Sequence, residues 1–137
     1  MDDNELLDVY GIDLSIKYID IIDKELELFS TKYTSAYGEL TNNGLKELFK
    51  NIETDNKIFY DLGSGNGTLI IRSILLYNLQ KAIGIELSKK RYEYAINLYN
   101  KLKNPELKNK INFYNDDLFL IDISDADIDR KSTRLNS

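Results

Sequence analysis

Three short stretches of this chain carry side chains whose types and spacing could do chemistry. The first is Asp61-Leu62-Gly63-Ser64-Gly65-Asn66-Gly67, directly after the apolar run Ile58-Phe59-Tyr60. The second is Glu86, closing the apolar run Ala82-Ile83-Gly84-Ile85. The third is Asn115-Asp116-Asp117-Leu118, after Lys110-Ile111-Asn112-Phe113-Tyr114. Glycines let a backbone turn sharply and approach a ligand closely. An acid at a strand tip can accept hydrogen bonds from both hydroxyls of a ribose. Taken singly, each is an ordinary turn or a solvated strand end. In this order, each at the C-terminal end of a strand, they have the plan of a nucleotide-binding βαβ unit.

A dinucleotide site asks for G-x-G-x-x-G. Gly63 and Gly65 fit, but the third position falls on Thr68. The pattern present is Asp-x-Gly-x-Gly-x-Gly, and the leading acid would repel a pyrophosphate. It suits a ligand with an amino group, such as the methionine end of S-adenosylmethionine. On these residues the chain resembles the class I S-adenosylmethionine-dependent methyltransferases. Asp61 to Gly67 matches their first motif and Glu86 their ribose acid. The resemblance implies that Asp61 serves the methionyl end and that Gly63 and Gly65 give close backbone approach. It also implies that Asp117 faces the adenine amino group, with Asp116 the next choice, and that the Leu118 N–H meets a ring nitrogen.

A narrower resemblance lies upstream. Tyr37-Gly38-Glu39 precedes an amphipathic helix with Leu45, Leu48, Phe49 and Ile52 on one face, and Phe59-Tyr60-Asp61-Leu62-Gly63-Ser64-Gly65 follows. That succession resembles the disruptor-of-telomeric-silencing family, the non-SET histone lysine methyltransferases, over about residues 37–118. It implies S-adenosylmethionine as cofactor, a histone or nucleosome as partner, and a Tyr37–Glu39 loop closing over the methionyl group. A nuclear location would follow for a histone enzyme, and a cytoplasmic one otherwise. Three other readings stand beside it: a methyltransferase for a small molecule or another protein, a nicotinamide oxidoreductase, and a non-catalytic remnant that binds cofactor.

No catalytic residue is assigned. The chain has no histidine and no cysteine, so the common general base, disulfides and thiolate metal sites are absent, and no metal site is expected. Methyl transfer tolerates this, because the sulfonium methyl is already activated and alignment does most of the work. The 137 residues suffice for one domain with a real core, and 42% hydrophobic with 30% charged is ordinary for a globular protein. No run approaches the ~18 apolar residues of a membrane span, and the acidic start Met1-Asp2-Asp3-Asn4-Glu5 is unlike a secretory leader.

The organisation predicted is an α/β, Rossmann-like sheet of three parallel strands in the order 3-2-1, preceded by helices, as an incomplete domain. Residues 1–36 form an N-terminal helical segment: an irregular stretch or frayed helix to residue 11, then a helix from about Leu14 to Phe29. Residues 37–128 form the cofactor-binding part, with helices over about 41–52, from Thr68 to about Tyr77, and after Ser88. The last of these is predicted to bury Tyr92, Ala95, Ile96, Tyr99 and Leu102, with Pro105 ending it. Residues 129–137, Asp-Arg-Lys-Ser-Thr-Arg-Leu-Asn-Ser, resemble a translated sequencing-adapter oligonucleotide and read as a non-native tail. Without them, 18 basic and 23 acidic residues become 15 and 22, and the net charge moves from −5 to −7. That balance lacks the basic stripe of a nucleic-acid binder. The tail interrupts the approach to a fourth strand, where the resembled family carries an Asn-Asn-x-x-Phe motif. The chain therefore reads as the front half of a catalytic domain, with the edge of the first strand left bare.

Overall fold

A computed structural model of the chain describes residues 1–14 and 42–131. The predicted helix beyond Leu14, the Tyr37–Glu39 loop and residues 132–137 lie outside the described residues. Two successive strand–helix–strand units form the centre: β1 (Ile58–Leu62), α3 (Thr68–Leu76), β2 (Lys81–Glu86), α4 (Lys89–Asn100) and β3 (Ile111–Asn115). They follow α1 (Asp3–Tyr10) and α2 (Asn42–Leu48). A short helix, α5 (Pro105–Lys108), lies between α4 and β3, and β4 (Ile128–Lys131) comes last.

The sheet order is β3-β2-β1-β4, and every pair is parallel. The 3-2-1 core is as predicted, but the bare edge is not. β4 lies along β1 from Phe59↔Ile128 to Leu62↔Lys131. Asp127 starts the pairing, since its N–H donates to the Ile58 carbonyl (2.9 Å) and its Oδ2 accepts from the Ile58 N–H (2.9 Å). An unpaired strand edge is a row of unsatisfied amides and carbonyls, and four residues in register satisfy them. Asp129, Arg130 and Lys131 of the adapter-like stretch are thus strand residues here.

Strand alternation sorts the apolar residues onto two faces. Phe59, Ala82, Ile111 and Phe113 join the α-helical side, with Leu69, Ile70, Ile71 and Ile74 of α3 and Ala95 and Leu98 of α4. Tyr60, Leu62, Ile83 and Ile85 face the other way and are covered by Leu118, Ile121, Ile123 and Ala126 of the link before β4. The Tyr60 hydroxyl fixes that link by donating to Asp125 Oδ1 (2.7 Å). Burial, with the Asp125 bond adding to it, pushes the phenol up to about 12.

Of the two readings for residues 1–11 the helix holds, and α1 is capped at both ends. Asp2 accepts from the Glu5 N–H (2.9 Å) and Glu5 accepts from the Asp2 N–H (3.2 Å), a reciprocal capping box. Gly11 ends the helix at φ 69° and donates to the Leu7 carbonyl (2.8 Å). Only Leu6 of this helix is buried, worth ~1.5–3 kcal/mol. A second anchor is Arg72, buried in the mainly apolar α3. Its guanidinium donates to the Asp3 carboxylate, to Asn42 Oδ1 (2.6 Å) and to the Leu14 carbonyl (3.2 Å). One side chain therefore joins α1, α2 and the segment after α1 to α3.

The buried stripe of α4 is Arg91, Ala95 and Leu98, continued by Leu102. Tyr92, Ile96 and Tyr99, predicted as its core face, flank that stripe half-buried. Pro105 opens α5 rather than closing a region. Asn104 caps α5 by accepting from the Glu106 and Leu107 N–H groups (2.9 and 3.3 Å), and proline suits a first helical turn. Among the described residues no helix is long and apolar enough to cross a membrane.

Candidate functional site

The three predicted stretches meet at the carboxyl edge of the sheet. The glycine turn between β1 and α3 is tied to the tip of β2. The Gly63 and Ser64 N–H groups both donate to the Ile85 carbonyl (2.8 and 3.0 Å), and the Gly65 N–H donates to Glu86 Oε1 (2.7 Å). The other oxygen, Oε2, accepts from the Ser88 N–H (2.8 Å). Glu86 is 2% exposed. Its carboxylate is thereby fixed in orientation, and each oxygen keeps lone-pair capacity for a further donor.

The turn passes into α3 through Gly67 at φ 83°. This residue supplies no capping side chain, and Asn66 does that work: its Oδ1 accepts from the Thr68 N–H and hydroxyl (both 3.1 Å). Asn66 was not singled out in the sequence, although Asx ahead of a helix is a known local acceptor. The first turn of α3 carries no acid, so its amides and positive dipole end favour a negative ligand group.

On the third strand, the Asn115 side-chain amide donates to the Glu86 and Leu87 carbonyls (2.9 and 3.1 Å). The Asp116 N–H also reaches the Glu86 carbonyl (3.2 Å). Asp116 Oδ1 accepts from the Asp117 N–H (2.7 Å), and Asp117 Oδ1 from the Phe119 N–H (2.9 Å). Leu118 is half-buried against the second apolar face. Asn115, named in the third stretch without a role of its own, gains one here. Its bonds link β3 to β2 at the edge where Glu86 sits. Tyr37 and Glu39 lie outside the described residues.

Asp61 is 1% exposed and lies opposite Gly84 on β2 and Arg130 on β4. Arg130 Nη1 approaches its Oδ1 at 3.3 Å. Burial pushes the Asp61 carboxyl up to about 7; Arg130 offsets part of this, and the nearby Glu86 charge adds to it. The folded chain therefore holds this proton more tightly than an unfolded chain, whose aspartates titrate near 3.8. The stabilisation is fully present below the unfolded value and is lost as pH rises through about 7. Asp61→Asn, neutral throughout, should remove that dependence. Denaturant unfolding at pH 5 and pH 7.5 should show a smaller loss of stability for the variant than for the parent. Equal losses would mean that Asp61 ionises normally.

A parallel 3-2-1-4 sheet, a glycine turn after the first strand and an acid at the tip of the second define a class I S-adenosylmethionine-dependent methyltransferase fold. Residues 18–126 match the family described as histone methylation protein DOT1, and the chain belongs to that family. It is 33% identical over 75 residues to a protein-lysine N-methyltransferase of Saccharolobus islandicus, covering 55% of this chain and 45% of that protein. It is also similar to the crystal structure of an RNA methyltransferase from Salinibacter ruber in complex with S-adenosylhomocysteine. There the TM-score is 0.53 and the identity 27%, over 66% of this chain and 55% of that one. Geranyl diphosphate C-methyltransferase from Streptomyces coelicolor, at 10% identity and a TM-score of 0.55, shares the fold over 67% of this chain and 33% of its own. The chain thus spans about half the length of the relatives it matches.

Proposed function

We propose that this chain binds S-adenosylmethionine and forms the cofactor-holding part of a protein-lysine N-methyltransferase, with histone lysine as the acceptor. The observation that carries the reading is the Glu86 carboxylate, clamped by two backbone N–H groups at the tip of β2 beside a glycine turn. Its remaining lone pairs suit the two ribose hydroxyls. Gly63 and Gly65 leave the turn open to close approach. Asp61 and Glu39 serve the methionyl amino group, directly or through water, and Tyr37 belongs to the loop that covers it. Asp117 takes the adenine amino group, and the Leu118 N–H, which forms no hydrogen bond among the described residues, meets a ring nitrogen. Kinship to the histone methylation family and to a protein-lysine methyltransferase supports the lysine acceptor.

When bound, the cofactor supplies a methyl group already activated on a sulfonium. The chain's part is to hold and orient it, while the acceptor amine must be neutral to attack. Thermal unfolding with saturating S-adenosylhomocysteine and, separately, NAD tests the binding. A ligand present at 100 times its dissociation constant stabilises by ~2.7 kcal/mol, so the first should raise the melting temperature by several degrees and the second should leave it unmoved. Stabilisation by NAD alone would replace this reading with a dinucleotide site.

A further inference from the structure

Resting on the S-adenosylmethionine reading, we propose that Gly84 is the positioning residue of the cofactor turn: its missing side chain is the slot that lets Ser64 seat and Gly65 reach Glu86. Gly84 lies in the middle of β2, paired with Asp61 on one side and Phe113 on the other. A Cβ at this position would stand 2.7 Å from Ser64 Oγ, 2.8 Å from Ser64 Cβ and 2.9 Å from Phe113 Cδ1. Contacts this short force one of the neighbours to move.

Phe113 is 8% exposed and lies close against Gly67 and Tyr99. Its Cζ and Cε1 lie 2.8 and 2.9 Å from where a Cβ on Gly67 would be, and Tyr99 meets its ring edge-on at 6.5 Å between centroids. Two of the three contacts are to Ser64, and its Cβ cannot rotate away without moving the turn in which it sits. Its own N–H is bonded to the Ile85 carbonyl (3.0 Å), and the next residue makes the 2.7 Å bond to Glu86. A methyl group on β2 would be transmitted through Ser64 to the Gly65–Glu86 bond. Gly84 is not among the positive-φ glycines, so alanine fits its backbone and contact alone carries the effect. The Ser64 hydroxyl is buried without a hydrogen-bond partner among the described residues, so removing it forfeits no bond.

The test is made on the full chain with two readouts. One is the Gly65 amide resonance in the ligand-free protein, shifted downfield by its short bond to a carboxylate. The other is S-adenosylhomocysteine affinity by calorimetry. Gly84→Ala should move the Gly65 amide upfield and weaken affinity roughly tenfold, the equivalent of one lost hydrogen bond. Adding Ser64→Gly in the same chain should restore much of both. If Gly84→Ala does not fold, Ser64→Thr carries the same test, crowding the slot from the turn side. A Gly65 amide indifferent to these changes, or one that Ser64→Gly does not restore, overturns the proposal. A parent chain that does not bind S-adenosylhomocysteine overturns the functional reading instead, and the amide result still decides on the slot.

Discussion

Glu86→Ala should abolish most S-adenosylhomocysteine binding and also destabilise the ligand-free chain. Two hydroxyl bonds to a fixed carboxylate are charge-assisted, and their loss should cost ~2–4 kcal/mol of binding, about 30- to 1000-fold in affinity. The second effect arises within the protein. The Gly65 and Ser88 N–H groups both end on this carboxylate, and a polar group left unsatisfied in a buried place costs about 1–3 kcal/mol. Glu86→Gln separates the two effects, since an amide keeps one acceptor oxygen but turns a donor toward the other amide. It should bind less weakly than the alanine variant. Calorimetry with thermal unfolding on the same samples measures both, and an unchanged dissociation constant for Glu86→Ala would remove the residue from the site.

Gly67→Ala should be the most destabilising single methyl added to this chain. The position has φ 83°, and a Cβ there would stand 2.8 Å from Ala95 Cβ and from Phe113 Cζ. A left-handed conformation costs a side chain ~1–2 kcal/mol, and overpacking adds ~1–3 kcal/mol. Against a typical total of ~5–15 kcal/mol, that removes a large share. Gly11→Ala is the matched comparison, because φ is 69° and nothing lies within 4 Å of the added carbon. It should show the backbone cost alone. Denaturant midpoints for the pair would isolate the packing contribution, and equal losses would show that the turn can shift to accept a methyl.

How much of this was legible in the sequence follows from the range of each interaction. β1 and β2 were legible as short apolar runs that reach an acid, and β3 as an alternating run through Ile111 and Phe113. Glu86 was legible because its place is set by chain order alone. The capping box of Asp2 and Glu5 was written in the local spacing and was overlooked among acidic neighbours. Arg72 was hidden differently: an arginine in an apolar helix is explained only by Asp3, 69 residues away, and by Asn42, 30 away. Along α4 and its continuation, Ala95 and Leu102 are buried as predicted, but Arg91 and Leu98 complete the stripe in place of Tyr92, Ile96 and Tyr99, because a buried arginine carries no weight in a hydrophobic count. The approach to a fourth strand was legible before Ile128, but not that Asp129, Arg130 and Lys131 continue it, because pairing with β1 depends on an edge created elsewhere in the chain.

The Arg72 cluster has a practical consequence for handling the protein. The Met1 carbonyl accepts from Asn42 Nδ2 (2.6 Å), and Asn42 in turn accepts from Arg72 on the helix that grows out of the glycine turn. Met1 is thereby tied, through Asn42, to the helix that follows the glycine turn. A purification handle fused ahead of Met1 would sit beside that hydrogen bond, so melting temperatures and affinities are best compared before and after its cleavage.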